Sequence, residues 1–372
     1  MPDLPESAEV VIIGAGFAGS STAYHLTRMG IHDILILERE SIPGAQASGR
    51  NAAMLRRIVG LDPFGLLCNK GADRILGQPE STHQVERNCG SLLLCSTNLR
   101  RQFDQIVKQQ EAKDSPCRWL TPYESTDQLS ILEGSHFDSA LHVPRDGILD
   151  LQGLLHFFLR GARSSGCRLF TSTPVLKIRS NRKGVHKIHT PRQTVETRKV
   201  INAAGAWAGQ VASLSDAFPM NIQPFRRHLF RLTPGPSQSD HLPWVWDLGR
   251  SFYLRPDTGG WIASFCDEDP HLPCPPRVAP QAAFHLANTL TQHLPLAREL
   301  SVDRSWACLR TFTPDRQPLI GPDPKLPGFY WSAGLGGHGV TTSHLIGELT
   351  ARTIMGQPLE KPFDQFTPSR YR

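Results

Sequence analysis

Two short all-apolar runs, Val10–Ile13 and Ile34–Leu37, bracket a stretch in which Ala23 and Leu26 recur at helical spacing. Four consecutive aliphatic residues suit a strand buried on both faces, as in a parallel sheet. Gly30 supplies a C-cap for the helix between them. Downstream, the pattern predicts a helix over 62–78 that leads away from the core, a strand over 89–95 and an amphipathic helix over 99–113. Asp150 can cap a helix running to about Ser165, with Leu154, Leu155, Phe158 and Leu159 on its buried side. Strands are expected at 167–170 and 173–178, exposed hairpins over 181–198, and a strand over 199–207 that breaks into small residues. Residues 216–300 have another texture. Prolines are frequent there, and strands centred on Leu229, Tyr253 and Ile262, with a helix near 281–293, read as a mostly antiparallel sheet. Beyond Ser301 the earlier style returns and ends in a helix carrying Leu345, Leu349 and Ile354.

Between the first strand and helix stand Gly14, Gly16 and Gly19, in the spacing G-x-G-x-x-G, and Glu38 closes the second strand. Gly14 permits a tight turn, Gly16 lets a pyrophosphate approach the backbone, and Gly19 lets helix and strand pack closely. The helix N-terminus adds free amides and the positive end of a dipole. An acid about 20 residues past the glycines can accept the ribose hydroxyl protons and would repel a 2′-phosphate. Strand, glycines, helix, strand and acid in this order define a dinucleotide-binding unit, without separating FAD from NAD. A glycine-rich loop over 44–53, running into a helix near Asn51, can also line the cofactor. A second glycine cluster, Gly334, Gly336, Gly337 and Gly339, precedes the last helix and can aim a second helix N-terminus at an electron-rich group.

With 372 residues the chain is long enough for two domains. The net charge of +6 comes from scattered basic residues with no run and no nucleic-acid motif, so nucleic acid is not an expected partner. Eight cysteines without a C-x-x-C pair read as reduced thiols rather than a metal ribbon or redox pair, and no metal site is expected. No run approaches the ~18 apolar residues of a membrane span, and the N-terminus has no basic and apolar leader. A cytoplasmic location, open to peripheral membrane contact, is expected.

Together GAGFAG with Glu38, ASGRNAA (47–53), VINAAGAWAG (200–209), SFYLRPD (251–257), WACLRTFTPDRQPLIG (306–321) and GLGGHGVTTS (334–343) resemble the FAD-dependent D-amino acid oxidase superfamily over nearly the whole chain. Its D-amino acid dehydrogenases of the D-arginine type are most similar, and glycine and sarcosine oxidases are related. The resemblance implies an α/β fold: a Rossmann-like FAD-binding domain of glutathione-reductase type, and a second α+β substrate domain on a mainly antiparallel sheet. The expected division is 1–80, 145–215 and 301–372 for FAD, and 81–144 and 216–300 for substrate.

The resemblance also distributes roles. Gly14, Gly16, Phe17, Ala18 and Gly19 would hold the pyrophosphate, and Glu38 with Arg39 the ribose end. Ser48, Gly49, Arg50 and Asn51 would approach the phosphates and flavin, Val175 the adenine, and Ala204 and Gly205 the dinucleotide. Gly336, Gly337, His338, Gly339, Val340 and Thr341 would meet the flavin, where a helix N-terminus favours negative charge on its reduced form. Arg310 would grip a substrate carboxylate in a bidentate fork. Tyr253 would touch that carboxylate or lid the site, and one of Arg226 and Arg227, neighbours on one strand, would face inward. His338 matches a histidine beside the flavin of sarcosine oxidases, but Thr341 stands where those enzymes have a carboxylate-binding lysine. Gly90 replaces a glutamate of relatives that prefer cationic substrates. Cys308 stands where sarcosine oxidases link flavin covalently, whereas the D-arginine type has glycine there; non-covalent FAD is expected.

The implied reaction passes a hydride from Cα of a small amino acid, of D configuration, to flavin N5, and gives a 2-oxo acid and ammonia. A glycine or N-methyl amino acid oxidase is the enzymatic alternative, and a non-catalytic flavoprotein subunit of a larger dehydrogenase complex the other. The electron acceptor, whether oxygen, a quinone or an electron-transfer protein, is left open.

Overall fold

Val10–Ile13 lies at the centre of a six-stranded sheet, and every one of its residues is buried. Parallel neighbours Ile34–Leu37 and Lys199–Asn202 flank it in register, Val10 opposite both Ile34 and Lys199. Arg168–Phe170 extends one side; Phe329–Ala333 and then the antiparallel Leu319–Pro322 extend the other. The computed structural model describes residues 3–77, 85–87, 89–110, 116–181, 184–236 and 241–372. The expected helix ends at 78 and 113 and residues 182–183 of the hairpins lie outside them.

Three helices cover one face of this sheet. Phe17–Arg28 packs against Leu151–Ser164, whose Asp150 cap accepts the Gly153 amide at 2.9 Å, and against Ser343–Ile354. Between the first and last of these helices, His25 Nε2 meets His344 Nδ1 at 3.1 Å, both rings buried. Burial, aided by neighbouring positive charge, pulls His25 down to about 3 and His344 to about 4. The unfolded chain therefore binds more protons than the folded one between those values and about 6.5, and stability is lost as pH falls through that window. Each ring can contribute about 1.4 kcal/mol per pH unit there. Thermal melts at pH 7 and pH 5 should show this fall, and a His25→Leu, His344→Leu double variant should flatten it. An equally steep fall in the double variant would remove the pair as its cause.

A nine-stranded, mainly antiparallel sheet forms the second layer. Its longest pair is Gln223–Thr233 with Ser301–Phe312. Phe252–Asp257 and Gly260–Ser264 form a hairpin, and Trp244–Asp247 joins Ser91–Cys95 in parallel. The helix Ala282–His293 buries Leu286 and Leu290 on one face, while Phe103, Ile106 and Val107 of Thr97–Gln110 pack on the other.

The mixed α/β class is as expected, and several details differ. The loop over 44–53 turns into the short strand Met54–Leu55 instead of a helix. Asn51 donates to the carbonyls of Ala47 and Ser48 and accepts the Ala53 amide at 2.8 Å, so its side chain competes with helical hydrogen bonding. The helix Pro63–Gly77 packs against the last helix rather than leading away. The hairpins after 176 form a three-stranded sheet with Ile188 and Val195 fully buried, and its first strand begins only at Lys177. Ser301–Phe312 belongs to the antiparallel layer, so the chain returns to the parallel one at Leu319, not at 301.

Candidate active site

The C-terminal ends of the parallel strands open onto a long cleft. Its lining runs from Glu38 and Val175 at one end to Arg310 and Gly337 at the other, an elongated shape that suits an extended dinucleotide. At its floor Gly14 turns with φ +108°, and a Cβ there would stand 2.5 Å from the carbonyl oxygen of Ala203. Gly19 is as tight, since its Cβ would meet the Gly14 oxygen at 2.0 Å. Ser48 Oγ accepts the Phe17 amide at 3.1 Å, which leaves Ala18 and Gly19 amides of the first turn without intrahelical acceptors.

Glu38, only 8% exposed, accepts the Ala15 amide at 2.7 Å and the Glu40 amide at 2.9 Å. Burial raises its pKa, and those two amides oppose the rise. Beyond it, Arg39 stacks over the Trp207 ring at 4.5 Å, with Val175 nearby on the cleft wall. Ala204, Gly205 and Asn51 line the middle, and Gly336, Gly337, Gly339 and Val340 the far end. Gly19, Gly49, Arg50, His338 and Thr341 are not among the residues that line it. Arg50 Nε donates to the Ala45 carbonyl and Arg50 O accepts from Trp306, while Thr341 Oγ1 accepts the Arg56 amide at 3.2 Å. Arg50 and Thr341 thereby brace the two loops. The glycine cradle, the buried acid and the free amides of the first helix fit FAD.

The far end carries the candidate chemistry. Cys308 and Arg310, two apart on an extended strand, share a face and lie opposite Arg227 and Phe225. Arg310 has no hydrogen-bond or ion-pair partner among the described residues. It lies against the backbone of Gly337, where a Cβ would come within 2.7 Å of its Nε. The register also separates Arg226 from Arg227. Arg226 faces outward to Asp269 at 3.0 Å. Arg227 is 2% exposed, donates from Nε to the Asp267 carbonyl at 2.6 Å, and leaves one terminal nitrogen without a partner.

Tyr253 is fully buried with an unpartnered hydroxyl, and burial lifts its pKa to about 12, so it keeps its proton. His338 donates from Nδ1 to the Gly336 carbonyl at 3.2 Å, leaving Nε2 as an acceptor. Burial, then Arg56 and Arg310, lowers its pKa to about 3, so the ring is neutral. Burial also raises the Cys308 thiol.

The motifs did not single out Arg56. Its guanidinium stacks on Trp246 at 4.2 Å, and Trp246 packs on Tyr253 with ring centroids 4.9 Å apart. Behind it the fully buried Asp146 accepts from Ser91 Oγ at 2.7 Å and from the Arg57 amide at 2.9 Å. Burial pushes its pKa up to about 7. The one legible hint was a pair of arginines, Arg56 and Arg57, directly after a glycine-rich loop. Elsewhere, His228, Asp267 and Asp269 gather metal-type ligand atoms within 4.8 Å. Both His228 nitrogens are engaged there, by Asp267 at 2.7 Å and by the Ala279 amide at 2.9 Å.

A cleft of this form in a two-layer α/β chain defines a dinucleotide-binding protein. The family profile described as FAD dependent oxidoreductase (DAO) matches residues 9–353, and the chain belongs to that family. Mouse mitochondrial sarcosine dehydrogenase is 25% identical over 99% of this chain and 42% of its own length. The chain thus spans less than half of the curated relatives it matches first. Among solved structures, L-proline dehydrogenase from P. horikoshii superposes with a TM-score of 0.87 at 24% identity, covering 99% of this chain and 98% of that one. Glycine oxidase from Bacillus cereus ATCC 14579 gives 0.80 at 22% identity, covering 96% and 98%. No helix among the described residues is long and apolar enough to cross a membrane.

Proposed function

We propose that the protein oxidises the amine-bearing carbon of a small amino acid, with an N-alkyl substrate favoured over the D-amino acid suggested by the motifs. One observation carries the reading: Arg310, without a partner among the described residues, is held on the Gly337 backbone where the dinucleotide cleft ends. A carboxylate is the natural occupant of such a fork. The name of the mouse relative, sarcosine dehydrogenase, supports a secondary amine.

FAD, when bound, supplies the hydride acceptor. The chain's own residues position and tune the substrate. Arg310, Arg227 and the Tyr253 hydroxyl fix the carboxylate and so aim the adjacent carbon. Their positive field disfavours an ammonium ion, so the amine enters neutral and its lone pair stabilises the cationic centre left by the departing hydride. Neutral His338 can accept a hydrogen bond at Nε2. The imine produced is hydrolysed by water. In this reading the parallel layer holds the cofactor and the antiparallel layer, including Ser301–Phe312, holds the substrate.

The purified protein, incubated with an artificial dye acceptor, should oxidise sarcosine, glycine, L-proline or D-amino acids with reduction of the dye. Flavin that stays oxidised with every one of them would overturn the reading. A buried thiol with a raised pKa is a poor nucleophile. Acid denaturation should therefore release all the FAD; yellow colour remaining on the polypeptide and lost in Cys308→Ser would show a thioether instead.

A further inference from the structure

Three guanidiniums gather at the far end of the cleft and just past it, and together they carry more charge than one carboxylate can balance. Arg310 has no partner among the described residues. Arg227 is buried with one nitrogen unpartnered, and its one ion pair among the described residues, with Glu268 at 3.4 Å, is shared with Arg316 at 3.0 Å. Arg56 is 8% exposed; its Nε donates to the Ile58 carbonyl at 3.2 Å, and its terminal nitrogens bond to nothing among the described residues. The nearby acids are committed elsewhere. Asp267 is held by His228, and Asp146 by Ser91 and the Arg57 amide, with no ion pair to Arg56. Arg227 stands two ladder positions from the residue paired with Arg310, and the Arg56 amide is tied to Thr341, in the same loop as the Gly337 that backs Arg310. Buried cations without counter-charge are costly, so such a cluster points to an anionic ligand that completes it.

The cluster is also divided in space. Arg310 and Arg227 stand on the paired long strands, beside the unpartnered Tyr253 hydroxyl. Arg56 reaches in from the loop after Met54–Leu55 and sits over the Trp246 ring, which also packs on Tyr253. A bidentate fork turns both oxygens of one carboxylate toward Arg310, while the terminal nitrogens of Arg56 still bond to nothing among the described residues. We propose that the substrate is an amine carrying two acidic groups, the first carboxylate on Arg310 and Arg227 and the second on Arg56. This deepens the amine-oxidising reading and rests on it. It names the chemical class, an amino or imino dicarboxylate, and makes Arg56 the residue that selects it.

The test separates binding from turnover. The FAD-loaded enzyme is titrated with malonate and succinate, and with acetate and propionate, following the flavin absorption spectrum. Dicarboxylates should bind at least 10-fold tighter, and the advantage should shrink as salt is raised. Iminodiacetate and N-methylaspartate should likewise exceed sarcosine in kcat/KM by at least 10-fold. Arg56→Met, matched in shape, should lower the dianion's value by 30-fold or more and bring the dianion-to-monoanion ratio below 3. Arg56→Lys, which keeps the charge, should restore part of that ratio and serves if the methionine variant does not fold. Dicarboxylates binding no tighter than monocarboxylates to the wild type would overturn the proposal, whatever amine is oxidised. Tight dicarboxylate binding with no amine oxidised would instead sink the amine-oxidising reading.

Discussion

Replacing Arg310 by alanine is expected to cut kcat/KM for carboxylate-bearing amines by about 30- to 1,000-fold while FAD stays bound. The guanidinium has no structural duty among the described residues, so its removal breaks no ion pair or hydrogen bond of the fold. What is lost is a charge-assisted, two-point contact worth roughly 2–4 kcal/mol. The loss should fall on both KM and kcat, because the carboxylate also sets the distance of the reacting carbon. Arg310→Lys should recover only part of it, since an ammonium keeps the charge but not the fork. Steady-state kinetics with flavin content measured on the same samples would decide. Unchanged kinetics in a variant with its full complement of flavin would remove Arg310 from the site.

Gly14→Ala is expected to yield protein that emerges from purification nearly colourless. The backbone at φ +108° is a region L-residues rarely enter, with a cost of about 1–3 kcal/mol. The new methyl would also press on the Ala203 carbonyl at 2.5 Å, and that obstacle is backbone of the adjacent strand. Relief requires the turn to move, and the turn carries the Ala15 amide that positions Glu38. A displacement worth roughly 3 kcal/mol corresponds to about 100-fold weaker FAD binding. Absorbance ratios of the purified variant, with thermal melts in the presence and absence of added FAD, would measure this. Native stoichiometry of bound flavin and an unchanged Tm would refute it.

What the sequence made legible was local. Val10 to Glu38 could be read because strand, glycines, helix, strand and acid are consecutive, and each residue's task depends on near neighbours. Arg310 was reachable through its motif, although nothing in the motif says that it lacks a partner. Choosing between Arg226 and Arg227 required the pairing register with Ser301–Phe312, which alternation alone does not supply. Arg56 was hidden for a stronger reason. Its setting is made by Trp246 and by Thr341, the latter 285 residues away in the chain, and no local pattern encodes such a meeting. The helix expected at Asn51 failed because its amide side chain takes up the hydrogen bonds that a helix start would use.

The strand Ser301–Phe312 is fastened to both cofactor loops. Trp306 Nε1 donates to the Arg50 carbonyl at 2.9 Å, and the Gly336 amide donates to the Thr311 carbonyl at 3.0 Å. Arg310 lies between these two pins, so the strand acts as a ruler whose zero marks are set by the cofactor's own walls. Its divisions are coarse, about 3.4 Å per residue with a change of face at every step. A single residue inserted or deleted between Trp306 and Thr311 would therefore miss the mark by a full division and turn the guanidinium to the opposite side. Variation in substrate size has to be accommodated on other walls, such as the Trp246 strand or the loop bearing Arg56, where length can change without resetting the scale.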